Sequence, residues 1–201
     1  ITPAVRFGVI SRSGEAAALV TGSGGHNTFW VYRGDQWKVI EHLAKGLENI
    51  SSHQEGRDGG VRLRDLDGDG ICEIIVGRPD SSAIYQRHDS GWQKLPISLP
   101  KPFSIVTKQS GDAGLRFADL DGDGQEDIIF SNGRHYGTRM LESLTKGWTR
   151  VGIEGSRKGD GVGEQHSRVQ QVLPPIVRED GTNNGAWIKL SLIHISEPTR
   201  R

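Results

Sequence analysis

The 201-residue sequence is short of most features that mark a disulfide-bonded, membrane-inserted or catalytic chain. It has one cysteine, Cys72, which excludes an internal disulfide, a cysteine-based zinc cluster and a C-x-x-C-H haem attachment within this piece. Aromatic residues make up 6% and hydrophobic residues 34%, low for a helical bundle but compatible with a turn-rich β protein that holds 28 glycines. No stretch approaches the ~18 consecutive apolar residues of a membrane span. Charge of one sign is not in excess: 25 Lys+Arg balance 25 Asp+Glu, so neither a nucleic-acid partner nor an anionic membrane is implied. The chain opens on Ile1 without a signal-peptide pattern, as expected of a processed or internal piece. The seven histidines form no H-E-x-x-H pattern; His26, His88 and His135 fall in loops. No Ser/His/Asp arrangement or general acid–base pair stands out, so no catalytic residue is assigned.

What is present is an acidic turn that occurs twice. It reads Asp65-Leu66-Asp67-Gly68-Asp69-Gly70-Ile71-Cys72-Glu73 and returns as Asp119-Leu120-Asp121-Gly122-Asp123-Gly124-Gln125-Glu126-Asp127. Carboxylates stand at positions 1, 3, 5 and 9, with glycines at 4 and 6. Alternate side chains, plus the carbonyl at position 7, are how a short loop surrounds Ca²⁺ with six to eight oxygens. Two carboxylates ~4 Å apart repel by roughly 4 kcal/mol at an effective dielectric near 20, so only a bound cation makes four of them favourable. Asp and Gly also fill ordinary exposed turns; two copies in register favour the metal.

The flanks decide which calcium loop this is. An EF-hand needs a bidentate Glu at position 12 between helices. Here position 12 is Val76 or Phe130. Ile74-Ile75-Val76 and Ile128-Ile129-Phe130 follow the loops and read as buried strands, while Val61-Arg62-Leu63-Arg64 and Leu115-Arg116-Phe117-Ala118 precede them. The context is strand–loop–strand, which excludes the EF-hand.

This pattern resembles the FG-GAP/VCBS repeat, the calcium-loop blade of integrin-type β-propellers and many secreted bacterial proteins. The resemblance implies two Ca²⁺ sites. The first would use Asp65, Asp67, Asp69, the Ile71 carbonyl and Glu73; the second Asp119, Asp121, Asp123, the Gln125 carbonyl and Asp127. Glu73 departs from the commoner Asp at position 9.

Repeats extend beyond the loops. Gln36-Trp37, Gly91-Trp92 and Gly147-Trp148 recur at spacings of 55 and 56, and Asp58-Gly59-Gly60-Val61-Arg62 matches Asp112-Ala113-Gly114-Leu115-Arg116. A unit of about 55 residues is in the range of a four-stranded propeller blade. The expected fold is all-β, a partial propeller of about three blades at 5–56, 57–110 and 111–153. Strands are expected at 18–22, 28–32 and 37–40; at 61–64, 73–77, 82–87 and 92–95; and at 115–118, 126–131, 137–142 and 148–151. The repeat tryptophans should be inter-blade core. Residues 10–15 lack the carboxylate series and should bind no metal.

Residues 154–189 read as a Gly-rich linker from Gly155 to Gly163, then a degenerate fourth blade with Ile176-Val177-Arg178, a loop from Asp180 to Gly185, and Ala186-Trp187-Ile188. Residues 190–201 resemble the translation of a sequencing-library adapter and are set aside. About 185 residues then remain, fewer than the four to eight blades of a closed propeller need, so a truncated one is expected. Arg33-Gly34-Asp35 reads as a hairpin turn and Asn49-Ile50-Ser51 as a chance sequon.

These expectations point to a calcium-binding propeller module, a scaffold or binding surface in a secreted, periplasmic or cell-surface bacterial protein with a protein or carbohydrate ligand. The alternative is a non-catalytic part of a multidomain dehydrogenase-like enzyme. The stretch from Ile176 to Trp187, after two calcium-loop blades, resembles such bacterial proteins with a c-type haem.

Overall fold

The computed structural model describes residues 5–22, 26–54, 56–157 and 173–184. Three four-stranded antiparallel sheets follow one another along the chain, each a simple meander. The first comprises β1 (Val5–Val9), β2 (Ala16–Thr21), β3 (Asn27–Arg33) and β4 (Gln36–Val39). A 3-10 turn at Glu41–Ala44 and the short pair β5 (His53–Gln54) and β6 (Arg57–Asp58) lead to the second. It holds β7 (Val61–Arg64), β8 (Glu73–Gly77), β9 (Ser82–His88) and β10 (Gly91–Lys94). The third holds β11 (Leu115–Ala118), β12 (Asp127–Ser131), β13 (His135–Met140) and β14 (Arg150–Ser156). No α-helix occurs among the described residues.

The burial of each strand follows from its composition. β8, Glu-Ile-Ile-Val-Gly, and β12, Asp-Ile-Ile-Phe-Ser, are buried at every residue. An unbroken apolar run suits a strand covered on both faces. β4 is exposed along its whole length and β14 along most of its own, as befits the outer edge of a sheet. The turn between β3 and β4 has two residues, Gly34 and Asp35, both at positive φ (56° and 63°), as tight hairpins favour. Arg33 Nε and Nη2 at this turn donate to Glu15, at 2.6 and 2.8 Å.

Register places one face of each sheet against the opposite face of the next. Leu19, Phe29 and Val31 of the first sheet share a core with Val61, Leu63, Ile74, Val76 and Trp92 of the second. Ile75 and Ile84 from the other face of the second sheet share a core with Leu115, Ile128, Phe130 and Trp148 of the third. Trp92 stacks on Phe29, with ring centroids 5.8 Å apart. Asp58 accepts from Arg6 of β1 and from Arg62 of β7, each at 2.9 Å, which ties the first two sheets; Asp112 pairs locally with Arg116 of β11 at 2.6 Å.

A short hairpin stands at each exit. β5–β6 lies between the first two sheets, and the bridge Val106↔Asp112 between the second and third. A third hairpin, the bridge Val177↔Asn183, packs Ile176 and Val177 on Ile129 of the third sheet. Ile105 and Val106 donate to Gly77 O, and Ile176 and Val177 donate in the same way to Ser131 O. The turn from Asp180 to Asn183 thus matches the connecting hairpin rather than a degenerate metal loop. Ala186-Trp187-Ile188, residues 158–163 of the expected linker and residues 190–201 lie outside the described residues.

Two further expectations need correction. The last strand of the third sheet is Arg150–Ser156 rather than 148–151, so Trp148 sits in the turn before it and residues 155–156 are strand rather than linker. Trp37 is 41% exposed, against 4% for Trp92 and 5% for Trp148. Only the last two are inter-sheet core; Trp37 lies on the outer face of the first sheet beside Phe7 and Tyr32.

Ile75 is fully buried where the second and third sheets meet. Replacing it with Ala should cost about 2–5 kcal/mol, read from the urea midpoint, because a cavity opens at that junction. Val151→Thr on the exposed edge strand should stay within about 0.5 kcal/mol.

Candidate metal centre

Each acidic loop joins the first strand of a sheet to its second: β7 to β8, and β11 to β12. Glycines at positions 4 and 6 take positive φ in both loops, 75° and 86° at Gly68 and Gly70, 79° and 87° at Gly122 and Gly124. An L side chain is strained in that conformation, which explains the repeated Gly-x-Gly spacing.

The loops close through their own carboxylates. Asp65 Oδ2 accepts the Gly70 N–H at 2.9 Å, and Asp119 Oδ2 the Gly124 N–H at 3.0 Å. At the other end, Glu73 Oε2 accepts the Leu66 N–H at 3.0 Å and Asp127 Oδ2 the Leu120 N–H at 2.9 Å. Position 1 therefore holds position 6, and position 9 holds position 2. Asp127 Oδ1 also takes the Leu141 N–H, at 2.8 Å.

This closure brings carboxylates together. Asp65, Asp67 and Glu73 each offer an oxygen, all within 4.8 Å of one another; Asp119, Asp121 and Asp127 do the same. Oxygens sharing one Ca²⁺ at 2.3–2.6 Å lie within about 5 Å of each other, so both triads have the spacing of a shared hard cation. Asp69 and Asp123 stand outside the triads and cap the backbone at position 7: Asp69 Oδ1 accepts the Ile71 N–H at 2.8 Å, Asp123 Oδ1 the Gln125 N–H at 2.9 Å.

The position-9 carboxylates carry the electrostatic strain. Glu73 is 1% exposed and Asp127 fully buried. Burial, reinforced by the charges of Asp67, Asp69 and Asp65, pushes the Glu73 carboxyl up to about 8 despite its bond from Leu66. Burial also raises Asp127 and Asp67. The Asp65 Oδ1 atom is buried and has no hydrogen-bond partner. A buried, unpaired carboxylate oxygen among like charges suits a divalent cation, and the all-oxygen donor set suits a hard one. The loops differ in one respect: Arg150 pairs with Asp121 in the second, whereas no ion pair among the described residues involves Asp65, Asp67, Asp69 or Glu73 of the first.

Outside the loops, a cavity of about 390 Å³ between β7 and β11 is lined by Arg62, Asp58, Asp112 and Arg116, already engaged with one another, and by Ile105 and Phe117. Burial raises the half-buried Cys72 thiol, so no reactive thiolate is indicated. Sequence reasoning missed Glu126 at position 8 of the second loop, which is mostly buried against the first.

Stacked four-stranded meanders with an acidic loop between first and second strands define a repeat protein of propeller-type blades. The family model for an FG-GAP-like repeat matches residues 65–130, from the first residue of one acidic loop through the strand after the other. Residues 65–130 thus carry an FG-GAP-like repeat, and the three four-stranded sheets among the described residues are blades of a partial propeller that is not closed there. No curated protein matches the chain.

A carboxyl with a raised pKa in the fold binds its proton more tightly folded than unfolded. Its stabilising contribution is complete below the ordinary range near 4.3 and is lost as pH climbs towards about 8. In chelator, the melting temperature should therefore fall between pH 5 and 8.5, and Glu73→Gln should flatten that fall; a wild-type melting temperature constant across the range would contradict the assignment.

Proposed function

We propose that the chain is a calcium-stabilised propeller module with one Ca²⁺ in each acidic loop. Asp65, Asp67, Asp69, the Ile71 carbonyl and Glu73 hold the first ion; Asp119, Asp121, Asp123, the Gln125 carbonyl and Asp127 hold the second. The observation that carries this reading is the convergence of the same three positions, 1, 3 and 9, in both loops, with position 9 buried each time. The ion neutralises the converging carboxylates and joins the first strand of each blade to its central strand through Glu73 or Asp127.

The module works as a scaffold or binding surface, and its ligand is a protein or carbohydrate. No helix among the described residues is long and apolar enough to cross a membrane. Extracellular calcium modules bind at about 10⁻⁴–10⁻³ M, which fits a secreted, periplasmic or cell-surface bacterial setting.

Thermal melting in chelator and in 10 mM CaCl₂ tests the metal claim. A hundredfold excess over Kd stabilises by about 2.7 kcal/mol per site, or about 5–10 °C for a chain of this size. Combining Asp67→Asn with Asp121→Asn should remove the gain. Identical melting with and without calcium would refute the reading.

A further inference from the structure

Position 8 of each loop faces the preceding sheet. The Cys72 N–H donates to Val9 O at 2.7 Å, and the Glu126 N–H donates to Leu66 O at 2.9 Å. The side chains follow their backbones: Cys72 Sγ lies 2.9 Å from where a Cβ on Gly8 of the first sheet would stand. The first sheet has no acidic series between β1 and β2, only Ser11-Arg12-Ser13-Gly14-Glu15, and there position 8 is an uncharged cysteine. The second sheet has an acidic loop, and position 8 of the loop facing it is a carboxylate.

Glu126 is held firmly. The Trp148 indole donates to its carbonyl at 2.9 Å, and Arg64 Nη1 donates to Oε1 at 3.2 Å. Its other oxygen, Oε2, is buried and unpartnered. Among the described residues only one other buried side-chain polar atom lacks a partner, and it is Asp65 Oδ1, in the first loop's carboxylate triad. Leu66, whose carbonyl accepts the Glu126 N–H, follows Asp65 directly in the chain. The loops also touch backbone to backbone: a Cβ on Gly68 would lie 2.6 Å from Gly124 O.

We propose that Glu126, carried by the third sheet, belongs to the coordination shell of the first loop's Ca²⁺, its Oε2 meeting the ion directly or through a bound water. This rests on the calcium reading above. It makes the first ion a clasp between two blades, whereas the second loop keeps its ion within one. The two sites are then unequal: the first gains a fifth carboxylate, and in the second Asp121 is shared with Arg150.

Calcium titration by calorimetry separates the sites when each is read alone. In an Asp121→Asn/Asp123→Asn background, which leaves only the first loop intact, Glu126→Gln should weaken binding by about 10–100-fold, and Glu126→Asp should recover part of the loss. In an Asp67→Asn/Asp69→Asn background, Glu126→Gln should leave the second loop's affinity within about twofold, against the same 10–100-fold scale. Melting in chelator checks that each variant folds; Glu126→Gln should melt close to its background, since the Gln amide oxygen can still accept from Arg64. Unchanged affinity at the first loop, or equal weakening at both, overturns the assignment of Glu126. If the wild-type chain binds no calcium, the reading of both loops fails and this inference with it.

Discussion

The structure depends on a carboxylate buried at the head of the central strand of each acidic blade. Glu73 and Asp127 sit where the apolar runs of β8 and β12 begin, out of reach of water, and each accepts one backbone N–H from position 2 of its own loop. Burying a charge is costly unless it is paired. One backbone hydrogen bond at Glu73, or two at Asp127, meets only part of that cost, and each carboxylate also offers an oxygen to those at positions 1 and 3. The loop geometry, the glycines at positive φ and the clustering of carboxylates are all arranged around this constraint.

The same constraint makes the blades interdependent. A loop that folds back on its own central strand presents position 8 to the neighbouring sheet, and a backbone N–H there ties each blade to the one before it. Beneath that tie lie the shared cores, Leu19 and Phe29 against Val61 and Ile74, then Ile75 and Ile84 against Leu115 and Ile128. The loops and cores therefore act on the same junctions. Local loss of a loop should loosen the packing of two sheets, not one.

The first sheet shows what happens where the acidic series is missing. Its β1–β2 loop is short and held by Ser13–Glu15 and Arg33–Glu15 bonds. Its outer face leaves Phe7, Trp30, Tyr32, Trp37 and Val39 partly open to solvent, while on the matching faces Leu63, Ile74 and Trp92 of the second sheet and Ile128 and Trp148 of the third are buried. Trp37 and Trp92 occupy matching places in the repeat. One is exposed and the other buried because only the second has a neighbouring sheet with Phe29 to stack on.

Much of the fold was legible in the residues themselves. The apolar runs after each loop, the Gly-x-Gly spacing and the Gly34-Asp35 turn set strands and turns through local conformational preference, which needs no knowledge of distant contacts. The recurrence of Asp58-x-x-x-Arg62 as Asp112-x-x-x-Arg116 marked both units, and the ion pairs within them are between residues four apart. The fate of Trp37, the place of Trp148 before β14 rather than in it, and the matching of Val177↔Asn183 to a connecting hairpin were decided by which sheet lies against which. So was the placing of Glu126, whose neighbours Arg64, Leu66 and Asp65 are some sixty residues away in sequence. Alternation and spacing encode what a segment does along its own backbone; what covers a side chain depends on long-range packing, which no local pattern carries.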